Sequence, residues 1–236
     1  MAVFVLVHGA WHGGWCWRSV AAALRSAGHT VFCPTLTGLA ERRHLLTAEV
    51  GLDTFVTDVA SLIEWEELEG VVLVGHSFGG AVVAGVADRL PGRVDRLLFL
   101  DALVIDHGER PCDRVPPDVW ATRVAAARAL GDGLTLPVPP PAAFGVFEAE
   151  QTAWLERRLT PHPLKSYTDP LLLARPLGAG LPVAYVASTD PVYAPLASAR
   201  AFVRSRGWLY REIATGHDLM VTAPAETARL LLDLCR

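Results

Sequence analysis

The residues best suited to chemistry lie in Gly75-His76-Ser77-Phe78-Gly79. A serine hydroxyl attacks a carbonyl carbon efficiently only when a positioned base takes its proton. The serine follows an apolar run, Val71 to Val74, and precedes a helical run, Gly79 to Leu90, so the G-x-S-x-G pattern falls on a strand, a turn and a helix. A turn that sharp leaves no room for side chains beside the serine, which accounts for the glycines. It would lift Ser77 Oγ above the edge of a sheet, at the positive end of the helix.

The base should be a histidine, and the chain has eight. His217, in Thr215-Gly216-His217-Asp218, follows the last strand-like run and precedes the final helix, so it is the candidate. His8, His12 and His76 sit beside the site but precede or adjoin the serine, His107 and His162 fall in a proline-rich segment, and His29 and His44 read as loop residues. An acid that holds the imidazole in one tautomer should follow a strand lying between the two. Asp190, in Ala187-Ser188-Thr189-Asp190-Pro191, fits; Asp101, ending the run Arg96 to Leu100, is its rival, and Asp218 a distant third. Backbone N–H groups of Phe78 and Ala10 are the candidates for binding an oxyanion, because the turn His8-Gly9-Ala10-Trp11-His12-Gly13-Gly14 permits close approach to a substrate. Gly9, Trp11, His76, Asp101, Trp120 and Trp154 are candidate pocket residues.

These residues need a frame. Short apolar runs recur at Val3 to Val7, Val71 to Val74, Arg96 to Leu100 and Val183 to Ala187, with weaker ones at His29 to Cys33 and Trp208 to Ile213. Continuous apolarity suits parallel strands covered on both faces. Helical patterns alternate with them: Trp15 to Ala27, Asp53 to Leu68 with Asp53 or Thr54 as N-cap, Gly79 to Leu90, Pro195 to Arg206, and Ala223 to Leu234. The alternation predicts a mostly parallel, doubly wound α/β sheet of about six strands in one domain, 1–236. From 106 to 180 the alternation lapses into prolines and helix-like pieces near Asp118 to Leu130 and Glu148 to Leu159. So long an excursion between two strands of one sheet predicts a lid above it.

Composition narrows the function. Hydrophobic residues make up 51% and charged residues 19%, so much apolar surface must be buried or line a pocket, and a net charge of −4 offers no field for nucleic acid. No run approaches the ~20 apolar residues of a membrane helix. Cys16, Cys33, Cys112 and Cys235 form no C-x-x-C pair, which predicts no zinc site and no disulfide framework, and reads as reduced thiols in a cytoplasmic chain.

Three stretches together, His8 to Trp17, Pro34 to Arg42 and Val72 to Gly80, resemble a bacterial carboxylesterase group that includes pyrethroid-hydrolysing esterases and is similar to plant methyl esterases and hydroxynitrile lyases. The resemblance implies the α/β-hydrolase fold, a Ser77, Asp190, His217 triad in the fold's usual chain order, and no cofactor or metal. Lyases of the group place threonine after the first histidine and lysine after the catalytic one; Gly9 and Asp218 stand here, and a carboxylate would not stabilise cyanide. The expectation is hydrolysis of small to medium apolar esters through an acyl-enzyme. A biosynthetic tailoring enzyme of the same fold and a hydrolase-like ligand sensor are the alternatives. The oligomeric state is not readable.

Overall fold

The computed structural model describes residues 1–130, 133–178 and 180–235. Its strands are β1 (Val3–Val7), β2 (Thr30–Phe32), β3 (Val71–His76), β4 (Val94–Leu100), β5 (Thr135–Leu136), β6 (His162–Pro163), β7 (Val183–Ser188) and β8 (Leu209–Ile213). The helices are α1 (Arg18–Ser26), α2 (Leu52–Trp65), α3 (Gly79–Arg89), α4 (Pro117–Leu130), α5 (Ala149–Glu156), α6 (Lys165–Thr168), α7 (Ala197–Ser205), α8 (Leu219–Thr222) and α9 (Pro224–Leu234). Six strands make one parallel sheet in the order β2-β1-β3-β4-β7-β8.

The continuous apolar runs follow from the two-period of a strand between two helical layers. Val5 and Val7 of β1, Leu73 of β3, Leu97 and Phe99 of β4, and Tyr185 of β7 face the core built with α2, α3 and α7. Their alternates, Phe4, Leu6, Val72, Val74, Leu98, Leu100, Ala184 and Val186, face α1 and α9, where Trp17, Val20, Leu24 and Leu231 meet them. Each fully buried side chain of this size contributes about 1.5–3 kcal/mol.

The expected N-cap of α2 differs. Gly51 occupies that position; its N–H donates to Thr54 Oγ1 at 3.2 Å, and Asp169 Oδ2, from the segment between β4 and β7, accepts from Leu52 N–H at 3.2 Å. Asp53 instead pairs with Arg89. A distant carboxylate caps the helix where a local side chain was expected.

The segment 106–180 does lie between two neighbouring strands of the sheet, though positions 131, 132 and 179 fall outside the described residues. It holds α4, α5 and α6, as its helical pieces suggest, and also a small antiparallel ladder, β5 with β6, that the prolines hide. Its Phe144 and His162 pack against Trp11 of the β1 turn, with ring centroids 5.7 and 6.0 Å away, so it covers the ends of the strands where the candidate residues lie. Among the described residues, no helix is long and apolar enough to cross a membrane.

Candidate active site

Ser77 stands between the end of β3 and α3 with φ +51°, left-handed backbone that only a strongly determined turn sustains in a serine. Its N–H donates to Leu100 O at 3.2 Å and its carbonyl accepts from Leu103 N–H at 2.7 Å, so the strained residue is fixed to the β4 exit on both sides. Gly79 lets the helix start against β1: a Cβ there would lie 2.7 Å from His8 O and 2.8 Å from Val7 O. Gly9 likewise lets the β1 turn approach the serine, since a Cβ on it would lie 2.7 Å from Ser77 Cβ.

Ser77 Oγ lies 2.9 Å from His217 Nε2, and His217 Nδ1 lies 2.7 Å from Asp101 Oδ2. An ionised carboxylate only accepts, so Nδ1 carries the proton and Nε2 is left to accept from the serine hydroxyl. The acid therefore differs from the expected one. Asp190 is exposed, two residues past the end of β7, where its N–H donates to Thr215 O at 3.1 Å, and it does not meet His217. Asp101, fully buried, extends the β4–β7 ladder by donating its N–H to Val186 O at 2.7 Å, which places it one strand from Ser77. Its φ of +40° turns it out of the ladder. Trp11, at φ +65°, completes three left-handed non-glycine residues around one point.

Asp101 is held as an anion. Arg200 Nη2 and Nε donate to Oδ1 at 2.7 and 3.2 Å, and Ser188 Oγ donates to Oδ2 at 2.5 Å. Burial alone would raise the carboxyl pKa; the hydrogen bond and charge of His217, the charge of Arg200 and the Ser188 hydroxyl outweigh it and bring it below the usual carboxylate value.

The remaining histidines sort by their partners. His8 Nδ1 donates to Gly9 O at 2.8 Å and Nε2 accepts from Leu36 N–H at 3.1 Å, and burial lowers its pKa to about 3. His76 Nε2 donates to His217 O at 2.9 Å, orienting the histidine loop; burial lowers its pKa to about 3 too. His162 Nδ1 accepts from Trp11 N–H at 3.3 Å, Nε2 donates to Ser166 Oγ at 2.8 Å, and burial holds it well below the usual value. His12 is different: Nδ1 faces Ala10 O at 2.8 Å and Nε2 faces Asp218 Oδ2 at 3.0 Å, so both nitrogens meet acceptors and the ring is an imidazolium. Burial opposes that charge, but the charge and hydrogen bond of Asp218 raise the pKa. This buried ion pair ties the β1 turn to the loop carrying His217.

Among the described residues, neither the Ala10 N–H nor the Phe78 N–H has an acceptor within the protein. Phe78 follows Ser77 directly, and Ala10 follows Gly9, which packs against Ser77, so both N–H groups lie on the serine's turns and have no acceptor of their own. A narrow cavity of about 20 Å³ touches Ser77, Trp11, Phe78, Leu103, Arg123 and Tyr193. A wider cleft of about 570 Å³ leads to His217 past Phe144, Tyr193 and Arg123. Tyr193 stacks on His217 with centroids 3.9 Å apart. Of the candidate pocket residues, Trp11 lines the narrow cavity, while Gly9, His76 and Asp101 lie behind it against Ser77 and His217. Trp120 is one layer behind, stacked on Tyr167 at 5.6 Å. Trp154 packs edge-on to Trp15 and lines a separate cleft with Cys16 and Met220, so the aromatic expected in the pocket serves another surface.

His76, His217 and Asp218 also bring potential ligand atoms within 4.8 Å of one another. Both His217 nitrogens are engaged, so a metal there would compete with the Ser77 hydrogen bond.

Reasoning from the sequence missed Arg123, Tyr193, His162 and the His12–Asp218 pair. Arg200 did leave a signal: with Leu196, Ala199 and Val203 it shares the buried stripe of α7, and a cation on an apolar stripe calls for a buried carboxylate.

The model of the alpha/beta hydrolase family matches residues 4–230. A carbendazim hydrolyzing esterase of Nocardioides sp. (strain SG-4G) is 42% identical over 241 residues, spanning 99% of this chain and 100% of its own. Methylesterase 1 of Arabidopsis thaliana is 32% identical over 137 residues, covering 50% of this chain and 48% of its own length, so the chain spans about half of that relative. Among solved structures, an extracellular alpha/beta-hydrolase from a Paenibacillus species superposes with a TM-score of 0.81 at 24% identity over 99% of both chains, a likeness of fold.

Proposed function

Because the chain belongs to the alpha/beta hydrolase family and is an ester hydrolase, we propose that it cleaves small to medium carboxylic esters through an acyl-enzyme on Ser77, with His217 as base and Asp101 as the triad acid. The observation that carries this reading is the unbroken chain Ser77 Oγ, His217 Nε2, His217 Nδ1, Asp101 Oδ2, with links of 2.9 and 2.7 Å.

His217 takes the hydroxyl proton as Ser77 Oγ bonds to the ester carbon. The carbonyl oxygen becomes an oxyanion facing the Ala10 and Phe78 N–H groups, each such donor being worth on the order of 10² to 10³ in rate. The imidazolium, stabilised by Asp101, returns the proton to the departing alcohol. Water then enters, gives its proton to His217, adds to the acyl carbon and releases the acid as Ser77 regains its proton.

The apolar walls supplied by Trp11, Phe78, Phe144 and Leu103 suit an apolar body on the substrate. The segment 106–180 acts as the lid. A cavity of about 20 Å³ holds no more than about one water, so side chains at its mouth must move to admit an ester.

A p-nitrophenyl ester chain-length series with wild type and Ser77→Ala tests the reading, and carbendazim belongs in the same panel because the Nocardioides relative hydrolyses it. Turnover that peaks at a short chain and vanishes in the variant is the expected result. A variant that keeps its rate would exclude the proposed nucleophile.

A further inference from the structure

The lid helix α4 places one cation over the candidate site. Arg123 lines both the narrow cavity at Ser77 and the wider cleft leading to His217. Its guanidinium lies 5.2 Å from the centre of the Trp11 ring, and Nη2 donates to Tyr193 Oη at 3.2 Å. Among the described residues it has no ion pair. The buried acids nearby have their own cations, Asp101 with Arg200 and Asp218 with His12. Burial raises the phenols of Tyr167, to about 12, and of Tyr193, so its two tyrosine neighbours stay neutral and leave its charge uncompensated.

A half-buried guanidinium whose hydrogen-bond partners are two neutral phenols, Tyr193 and Tyr167, still keeps donors of its five for something else. A structural clamp alone would not explain the placement, because stacking on Trp11 and bonding Tyr193 and Tyr167 use the ring face and part of the five-donor fork and leave the charge unpaired. The free donors border the space into which a substrate must come. A planar anion is the group that a guanidinium fork binds best, through two parallel charge-assisted hydrogen bonds.

We propose that Arg123 is a substrate-binding residue for the carboxylate of a half-ester: one carboxyl of a short dicarboxylic acid is free and grips the guanidinium, while the other, esterified, lies at Ser77. This rests on the esterase reading above and narrows it, giving the apolar body of the substrate one anionic end. Because Arg123 borders the same narrow cavity as Ser77, the spacer between the two carboxyls is short, about two to four carbons, at ~1.5 Å or less of reach per bond.

The test compares monomethyl glutarate with its neutral isostere, the corresponding methyl ester amide, on wild type, Arg123→Met and Arg123→Lys, with p-nitrophenyl acetate as a separate measure of esterase chemistry. The readout is the ratio of kcat/KM for anion over amide. Wild type should favour the anion by about tenfold or more; Arg123→Met should bring the ratio to about one, and Arg123→Lys should fall between, since it keeps the charge and loses the fork. An equal loss on both esters in Arg123→Met would make the residue a lid clamp and overturn the proposal. So would a wild type that hydrolyses p-nitrophenyl acetate but shows no preference for the anion, which leaves the triad reading standing. A wild type inert towards every ester would sink both.

Discussion

Replacing Asp101 by asparagine separates the two candidate acids with an effect large enough to measure in any assay. The carboxylate serves two sides at once: Oδ2 accepts from His217 Nδ1 at 2.7 Å and Oδ1 accepts from Arg200 Nη2 at 2.7 Å. An amide has one acceptor. Turned so that its oxygen faces Arg200, it presents N–H to His217 Nδ1 and drives the imidazole into the tautomer whose Nε2 cannot accept from Ser77. Turned the other way, it keeps the tautomer but sets N–H against the guanidinium; in either orientation Arg200, itself mostly buried, loses its counter-charge. The first outcome costs on the order of 10⁴ in kcat, a barrier of about 5 kcal/mol. The lost counter-charge adds, in both, about 3 kcal/mol or more of lost stability, as for a buried pair deprived of one partner. Initial rates on p-nitrophenyl acetate, taken well below the midpoint of a urea titration followed by circular dichroism, separate the two effects. Asp190→Asn, made at an exposed carboxylate, should leave the rate at the wild-type level and shift stability by less than about 0.5 kcal/mol. If Asp190→Asn abolishes turnover while Asp101→Asn retains it, the reasoning is wrong.

Two further perturbations probe the frame of the site. Gly9→Ala puts a methyl 2.7 Å from Ser77 Cβ and 3.0 Å from His76 Nδ1, which forces the β1 turn away and removes the Ala10 N–H from reach; kcat should fall by about 10² to 10³ with the fold retained, and an unchanged kcat would contradict the role of Ala10. Stability should also depend on pH. Burial lowers His8 and His76 to about 3, with His162 well below its usual value, so the unfolded chain takes up protons that the folded one refuses. Their contribution is complete above about pH 6.5 and shrinks as pH falls towards 3, at up to roughly 4 kcal/mol per pH unit for three sites. His12 acts oppositely, since Asp218 raises it: its share is present below about 6.5 and is lost as pH rises through its folded value. Urea midpoints that stay flat from pH 7 to pH 5 would show that the three rings are not held neutral.

The sheet was legible because each buried strand is apolar on both faces, so Val3 to Val7 reads as a strand with nothing but its own residues. Ser77 was legible because strand, turn and helix types switch within a few positions, and His217 because it precedes the last helix. The acid was not, because Asp101 and Asp190 both follow strands, and the choice between them lies in register. Asp101 continues the ladder beside the nucleophile strand, whereas Asp190 stands past the end of the next one. Spacing along the chain does not encode which strand neighbours β3. Only Arg200, a cation on an apolar helical stripe, pointed to a buried carboxylate opposite. Trp154 misled for a related reason: an aromatic in a lid signals packing, not which of two clefts it packs against. The His12–Asp218 pair joins residues 206 apart in sequence, and Arg123 depends on how the segment 106–180 folds back over the sheet. Neither distance is local.

The central claim is that Ser77 becomes acylated. Incubating the wild-type protein with a fluorophosphonate ester and mapping the adduct by peptide mass spectrometry addresses it directly. One adduct per chain, on Ser77, formed in step with loss of esterase activity and absent from Ser77→Ala, is the predicted result. Inactivation with the adduct elsewhere, or full labelling of Ser77 with activity intact, would contradict the account.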